Sequence, residues 1–180
     1  MKWIQHLRTI NQHKKLVMKY CFRVGLYKQG LLHDLSKYSW VEFRVGAKYY
    51  QGDKSPNIIE RLEKGHSLAW LHHKGRNKHH IEYWIDYSLD NSEGMVGTKM
   101  PKKYVVEMFC DRIAASKIYK KDNYVDSDPL DYFLISKEHY MIHKDTKELI
   151  EMLLTMLKDK GEEETLRYVK KVVLSDTFYY

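Results

Sequence analysis

With 180 residues, 43% of them hydrophobic and 31% charged, the chain has apolar material for one core and too little length for two, which excludes a disordered polymer and predicts a single domain. No apolar run approaches the roughly 20 residues of a membrane span, and Gln5, His6 and Asn11 interrupt the N-terminal apolar residues, so a signal peptide is not expected and cytoplasmic residence is. The net charge of +7 favours an anionic partner, whether a phosphorylated metabolite, a nucleotide or a nucleic acid, and Cys21 and Cys110 are too few for a disulfide framework.

Apolar residues spaced by three and four, with only three prolines, predict an all-α helical bundle. Trp3, Leu7, Ile10, Val17, Tyr20 and Val24 line one face of a first helix over residues 2–28, with Gly30 placed to end it. A short turn or helix then carries Leu31 to Asp34. A helix over 39–51, capped by Ser39, precedes a polar loop, and the next, over 57–74, carries Ile59, Leu62 and Ala69 and stops near Gly75. Tyr83, Trp84 and Tyr87 mark a short aromatic helix over 79–89. The segment Asp90 to Met100 reads as the longest loop, a lid or a plain connection. Pro101 opens a helix reaching residue 121, and Asp128 with Pro129 opens another. Asp145 and Glu148 form a capping box for a helix ending before Gly161, and a last helix covers 162–174. The whole of 1–180 is expected as one domain, a core over 5–120 with C-terminal helices over 128–175 packed on it.

Placing the ionisable residues on these helices points to a site. His13 follows Ile10 by three and precedes Val17 by four, so its imidazole faces inward. His73 projects with Leu62, His66 and Ala69, while His72 is turned a quarter circle away. Asp111 lies on the face of Met108, Ala115 and Ile118. Burying these groups together with the dipeptide His33-Asp34 would be costly without an ion, so a transition-metal site is expected. His66 remains an open candidate, whereas His6, His139 and His143 read as surface or packing residues.

The order His13, His33-Asp34, Asp111 resembles the signature of the HD-domain superfamily, all-helical metal-dependent phosphohydrolases. Two stretches, Ala69 to Trp84 with a His, an Asn and then a His-His pair, and Glu107 to Asp111, look more like one uncharacterised HD-like family of bacteria and phages. The resemblance implies a helical bundle of the HD type with one metal on His13, His33, Asp34 and Asp111. The further histidines resemble those of dinuclear members, including the HD-GYP phosphodiesterases, in which the aspartate of the pair bridges two metals. That implies His73, His79 and His80 for a second ion, with His72 as the alternative to His73. No Gly-Tyr-Pro follows the His pair, where the chain reads Ile81-Glu82-Tyr83, so cyclic-di-GMP specificity is not implied. Lys37 matches a lysine that often follows the pair in phosphodiesterases and would hold a substrate phosphate as a point charge. Glu42 and Glu107 would orient ligands or a water by hydrogen bonds.

The expected function is therefore a metal-dependent phosphohydrolase acting on a phosphate monoester or diester of nucleotide-like character. Asp34 and Lys37 are its catalytic residues, with Arg76 or Asn77 at the leaving group. Manganese, iron, cobalt, nickel and zinc all suit such ligands, with iron or manganese favoured. Two alternatives accompany it. One is a di-iron oxygenase, because some HD-fold proteins resemble myo-inositol oxygenase. The other is an inactive HD scaffold binding nucleotide or nucleic acid through its basic charge, fifteen tyrosines and four tryptophans, although core packing accounts for most of those rings. No membrane partner is expected, and a homo-oligomer stays open.

Overall fold

The computed structural model describes residues 1–90 and 94–180. Helix α1, Lys2–Val24, buries His6, Ile10, His13, Val17, Tyr20, Cys21 and Val24 along one stripe. Trp3, expected on that stripe, is exposed. The helix stops earlier than its periodicity suggests because Gly25 takes the left-handed conformation at φ 90° and closes its C-terminus. Gly30 is not the stop. It lies in α2, Tyr27–Leu32, where an added methyl would sit 3.0 Å from Cys21 Cβ, so its missing side chain lets α2 lie on α1.

A 3₁₀ turn, Leu35–Tyr38, leads to α3, Trp40–Tyr49. The single helix expected over 57–74 is two: α4, Pro56–Lys64, and α5, Leu68–Lys74. Gly65 breaks it at φ 77°, and Ser67 restarts it by accepting the Trp70 N–H at 3.1 Å while donating to the buried Glu60 carboxylate at 2.7 Å. Residues 79–89 are not a helix either. A 3₁₀ turn, Ile81–Trp84, runs into strand β1, Ile85–Tyr87, which pairs antiparallel with β2, Met95–Gly97. The segment expected as a loop or lid thus contains a strand, and its residues 91–93 lie outside the described residues.

Helix α6, Lys102–Lys120, is the centre of the molecule. Six consecutive residues, Val105 to Cys110, are buried, the mark of a helix covered on all sides rather than on one stripe. It packs on α1, on α7 (Asp128–Ser136) and on α8 (Lys144–Tyr168), and Val17, Phe109, Ile113, Phe133, Leu153 and Leu157 share one core. The C-terminal helices therefore close the bundle. The α8 N-terminus is capped by His143, whose ring accepts the Asp145 N–H, and not by Asp145. Gly161, at φ 79° and ψ 173°, interrupts α8 where the sequence places a helix end, and Glu162 just beyond it accepts from Tyr20 and Arg23 of α1, both at 2.9 Å.

Gly97 packs against backbone: an added methyl would meet the Met141 carbonyl oxygen at 2.6 Å and the His143 nitrogen at 2.7 Å. Backbone cannot swing aside as a side chain can. Gly97→Ala should destabilise the fold by about 1–3 kcal/mol in urea unfolding, whereas Leu89→Ala, at a fully exposed side chain, should change it by less than about 0.5 kcal/mol.

Candidate metal centre

Five pieces of chain, α6 among them, meet in one cluster. His13 comes from α1, His33 and Asp34 from the turn after α2, His73 from the last turn of α5, His79 and His80 from the turn that follows, and Asp111 from α6. Asp34 is left-handed at φ 54° and ψ 26°, one of two described non-glycine residues with positive φ. Such a conformation costs about 1–3 kcal/mol and persists where the surroundings require it. Here it lets consecutive side chains, His33 and Asp34, both turn inward.

The Asp34 carboxylate divides the cluster. Its Oδ2 lies 3.4 Å from His33 Nε2 and 3.9 Å from His13 Nε2, and Asp111 Oδ1 stands 2.8 Å from His13 Nε2 and 3.4 Å from His33 Nε2. Its Oδ1 lies 3.3 Å from His73 Nε2 and 3.4 Å from His79 Nε2, while His73 and His80 face each other through Nε2 at 2.9 Å. Two ligand sets result, His13, His33, Asp34 and Asp111 on one side and Asp34, His73, His79 and His80 on the other. His33 Nε2, His79 Nε2 and both Asp34 oxygens are buried with no hydrogen-bond partner. Buried polar atoms left this way are expensive unless something else satisfies them, and imidazole nitrogens gathered around carboxylate oxygens are a donor set for a divalent transition ion. The residues fit one or two such ions.

Behind the inward atoms stand two glutamates. One oxygen of Glu107 accepts from His33 Nδ1 at 3.0 Å and stands in ion-pair contact with His79 Nδ1 at 3.1 Å, so a single carboxylate faces a ring on each side. Glu42 accepts from His73 Nδ1 at 2.8 Å and His72 Nδ1 at 2.6 Å. These bonds leave Nε2 as the free nitrogen of each inward ring. His73 is thus the inward member of its pair, and His72 points to Glu42 from outside the ligand sets. Its expected neighbours Leu62 and His66 are exposed, since the break at Gly65 turns α4 away, and this removes His66 from the site.

Lys37 Nζ stands 2.6 Å from Asp34 Oδ2, an ion pair off the direction of a hydrogen bond. Asn77, expected at the leaving group, instead donates to the His73 carbonyl and to Ser36 Oγ, both at 2.8 Å, and braces the end of α5. Arg76 is on the exposed side, donating to the His72 carbonyl at 3.2 Å. Neither lines the cavity beside the cluster. Ser36, which the sequence did not single out, bonds His73 Nδ1 at 3.1 Å.

The electrostatics are those of carboxylates and imidazoles forced together. Burial alone would raise the Asp34 carboxyl, but His33, Lys37 and His73 outweigh it and hold it well below the usual carboxylate range. Asp111 is lowered in the same way by His13 and His33. Burial opposes charge on His33, yet Asp34, Asp111 and Glu107 push it up to about 10. His80, half-buried and facing His79 and His73, goes the other way, lowered by desolvation and by those two rings. A divalent ion would take over the charge that the His33 proton carries, so its binding must release protons.

A cavity of about 480 Å³ opens from the cluster, with His13, His73, His80, Asp111 and Lys37 on its wall. The lining also includes His6, Tyr50, Trp70, Arg112 and Tyr119, with the Trp70 ring 4.8 Å from that of His80. His6, taken for a surface or packing residue, is buried against α3, where an added methyl on Gly46 would fall 2.0 Å from its Nε2.

Two outcomes follow. Glu107→Gln keeps an acceptor but loses the charge that supports both rings, and manganese affinity should fall about 10–100-fold by titration calorimetry. Burial, with Lys37 adding to it, lowers His6 from 6.5 to about 4. Between those values the unfolded chain binds the proton and the folded one does not, so this contribution is complete above pH 6.5 and is lost as pH falls toward 4. In chemical denaturation His6→Gln should lose less stability than wild type between pH 7 and pH 4.

No curated protein and no solved structure matches the chain. The model of a family of unknown function (DUF5662) matches residues 2–156, a span that includes every residue of the cluster, and the chain belongs to that family.

Proposed function

We propose that the protein is a metal-dependent phosphohydrolase acting on a phosphate monoester or diester of nucleotide-like size. The observation that supports this is the pair of ligand sets sharing Asp34, with four buried atoms lacking any partner, at the wall of a cavity large enough for an organic ligand. His13, His33, Asp34 and Asp111 would hold one ion and Asp34, His73, His79 and His80 a second, iron or manganese suiting the mixed imidazole and carboxylate donors. When bound, the ions supply an acidified water and positive charge against phosphoryl oxygens.

The chain does the rest. Glu107 and Glu42 keep the Nδ1 protons of His33, His79 and His73 on the outer edge of each ring, so the Nε2 lone pairs face the centre. Lys37, whose ammonium is held charged by Asp34 and Asp111 against the effect of burial, lines the cavity and offers a point charge to a non-bridging phosphate oxygen. Rings from Tyr50, Trp70 and Tyr119 give the leaving group apolar surface and exclude water around it. The same histidine and aspartate sets also suit a di-iron oxygenase, and oxygen dependence separates the two readings.

Manganese-loaded protein assayed under nitrogen should release nitrophenolate from p-nitrophenyl phosphate or its diester. Asp34→Ala should abolish turnover and metal retention with the helical circular dichroism preserved, and Lys37→Ala should lower kcat/KM about tenfold to a hundredfold. Full activity in a folded Asp34→Ala protein would refute the scheme. Turnover that appears only with oxygen uptake would establish the oxygenase instead.

A further inference from the structure

The cations around the cavity differ in one respect. Lys37 is paired with Asp34, Lys120 with Asp128 at 3.2 Å, and Lys54, without an ion pair among the described residues, is exposed to solvent. Elsewhere, Arg23 is paired with Glu162 and Glu163. Arg112 has no such partner: among the described residues no carboxylate lies within ion-pair distance of its guanidinium, and its buried Nε has no hydrogen bond. The group lies over the Phe133 ring, 5.2 Å from its centroid, which supports the planar cation from one face and leaves its donor edge free.

Arg112 follows the candidate ligand Asp111 directly on α6, and consecutive helical side chains diverge by about 100°. Asp111 turns toward His13 of α1, whereas Arg112 turns toward Phe133 of α7, yet both border the same cavity. An anion seated on Arg112 is therefore displaced from one seated at the metal cluster. The same cavity is lined by Met108, Ala115, Ile118 and Tyr132, which give it apolar and aromatic surface beside the paired Lys120 and Asp128.

From this we infer that Arg112 is a recognition site for a second anionic group, so the substrate is an organic phosphate that carries another phosphate or a carboxylate beyond an apolar or flat spacer. The guanidinium presents two parallel N–H donors to either group, a geometry that lysine does not reproduce. The inference relies on the phosphohydrolase reading only for placing the first phosphate at the cluster; Arg112 itself takes no part in bond cleavage and is a specificity residue.

The test uses ligands that cannot be hydrolysed. Manganese-loaded protein is titrated under nitrogen with alkylphosphonates and with α,ω-alkane bisphosphonates of three to six carbons, by calorimetry. In the wild type the best-fitting bisphosphonate should bind at least about tenfold more tightly than the monophosphonate of equal length. Arg112→Met should bring that ratio close to one with monophosphonate affinity unchanged within about twofold, and Arg112→Lys should restore it only in part. A preference that persists in folded Arg112→Met, an equal loss for both ligand types, or no preference at any length in the wild type would each overturn the inference. Because no P–C bond is cleaved, these outcomes are independent of whether phosphate esters are hydrolysed.

Discussion

Both oxygens of Asp34 are buried, face four imidazoles and lack a hydrogen bond, and this arrangement exacts a cost that the rest of the centre is built to bear. The carboxylate reaches its position only through a left-handed backbone at a residue other than glycine. Opposite charges keep it ionised, since His33, His73 and Lys37 together overcome its burial. Remove them and the group would be neutral or the turn would open; retain them without a cation and several nitrogens still face oxygens with nothing between.

Around that centre the architecture supplies rigidity in layers. Helix α6 is buried from Val105 to Cys110, so Glu107 projects from its most enclosed stretch and Asp111 from the residue that follows it. Glu107 then meets rings from two separate turns with one oxygen, while Glu42 gives one oxygen each to the adjacent rings of His72 and His73 on α5. The turns that carry His33, Asp34, His79 and His80 have little regular structure of their own; Glu107 meets His33 and His79, while Ser36 and Asn77 tie the turn after Asp34 to His73 at the end of α5. The open side belongs to the cavity, where the ligands give way to aromatic rings and to Arg112.

The long helices were the most legible part of the sequence. Periodicity places His13 and Asp111 inward because α1 and α6 are regular enough for a 3.6-residue repeat to be read over several turns. His73 faces inward as expected, but beside Ala69 alone of its expected companions, since a left-handed glycine at 65 divides the helix on which Leu62 and His66 were placed. Such breaks are set by single residues: Gly25 turns left-handed and ends α1, whereas Gly30, expected as that stop, lies within α2. His79 and His80 lie in a turn, where no repeat assigns direction, and only the likeness to dinuclear HD proteins suggested them. Arg112 escaped notice because an unpaired cation is recognised by which partners it lacks, and that is a property of space rather than order.

The donors of the first set come from residues 13, 33, 34 and 111, and the shared carboxylate extends the group to residues 73, 79 and 80. An ion held there would act as a cross-link joining α1, the turn after α2, the end of α5 and α6 across most of the matched family span. The unfolded chain has no preformed equivalent, so each ion's binding energy would add directly to the folded state and grow with its free concentration. The bundle's resistance to unfolding and its readiness for chemistry would then rise and fall together with the supply of one metal.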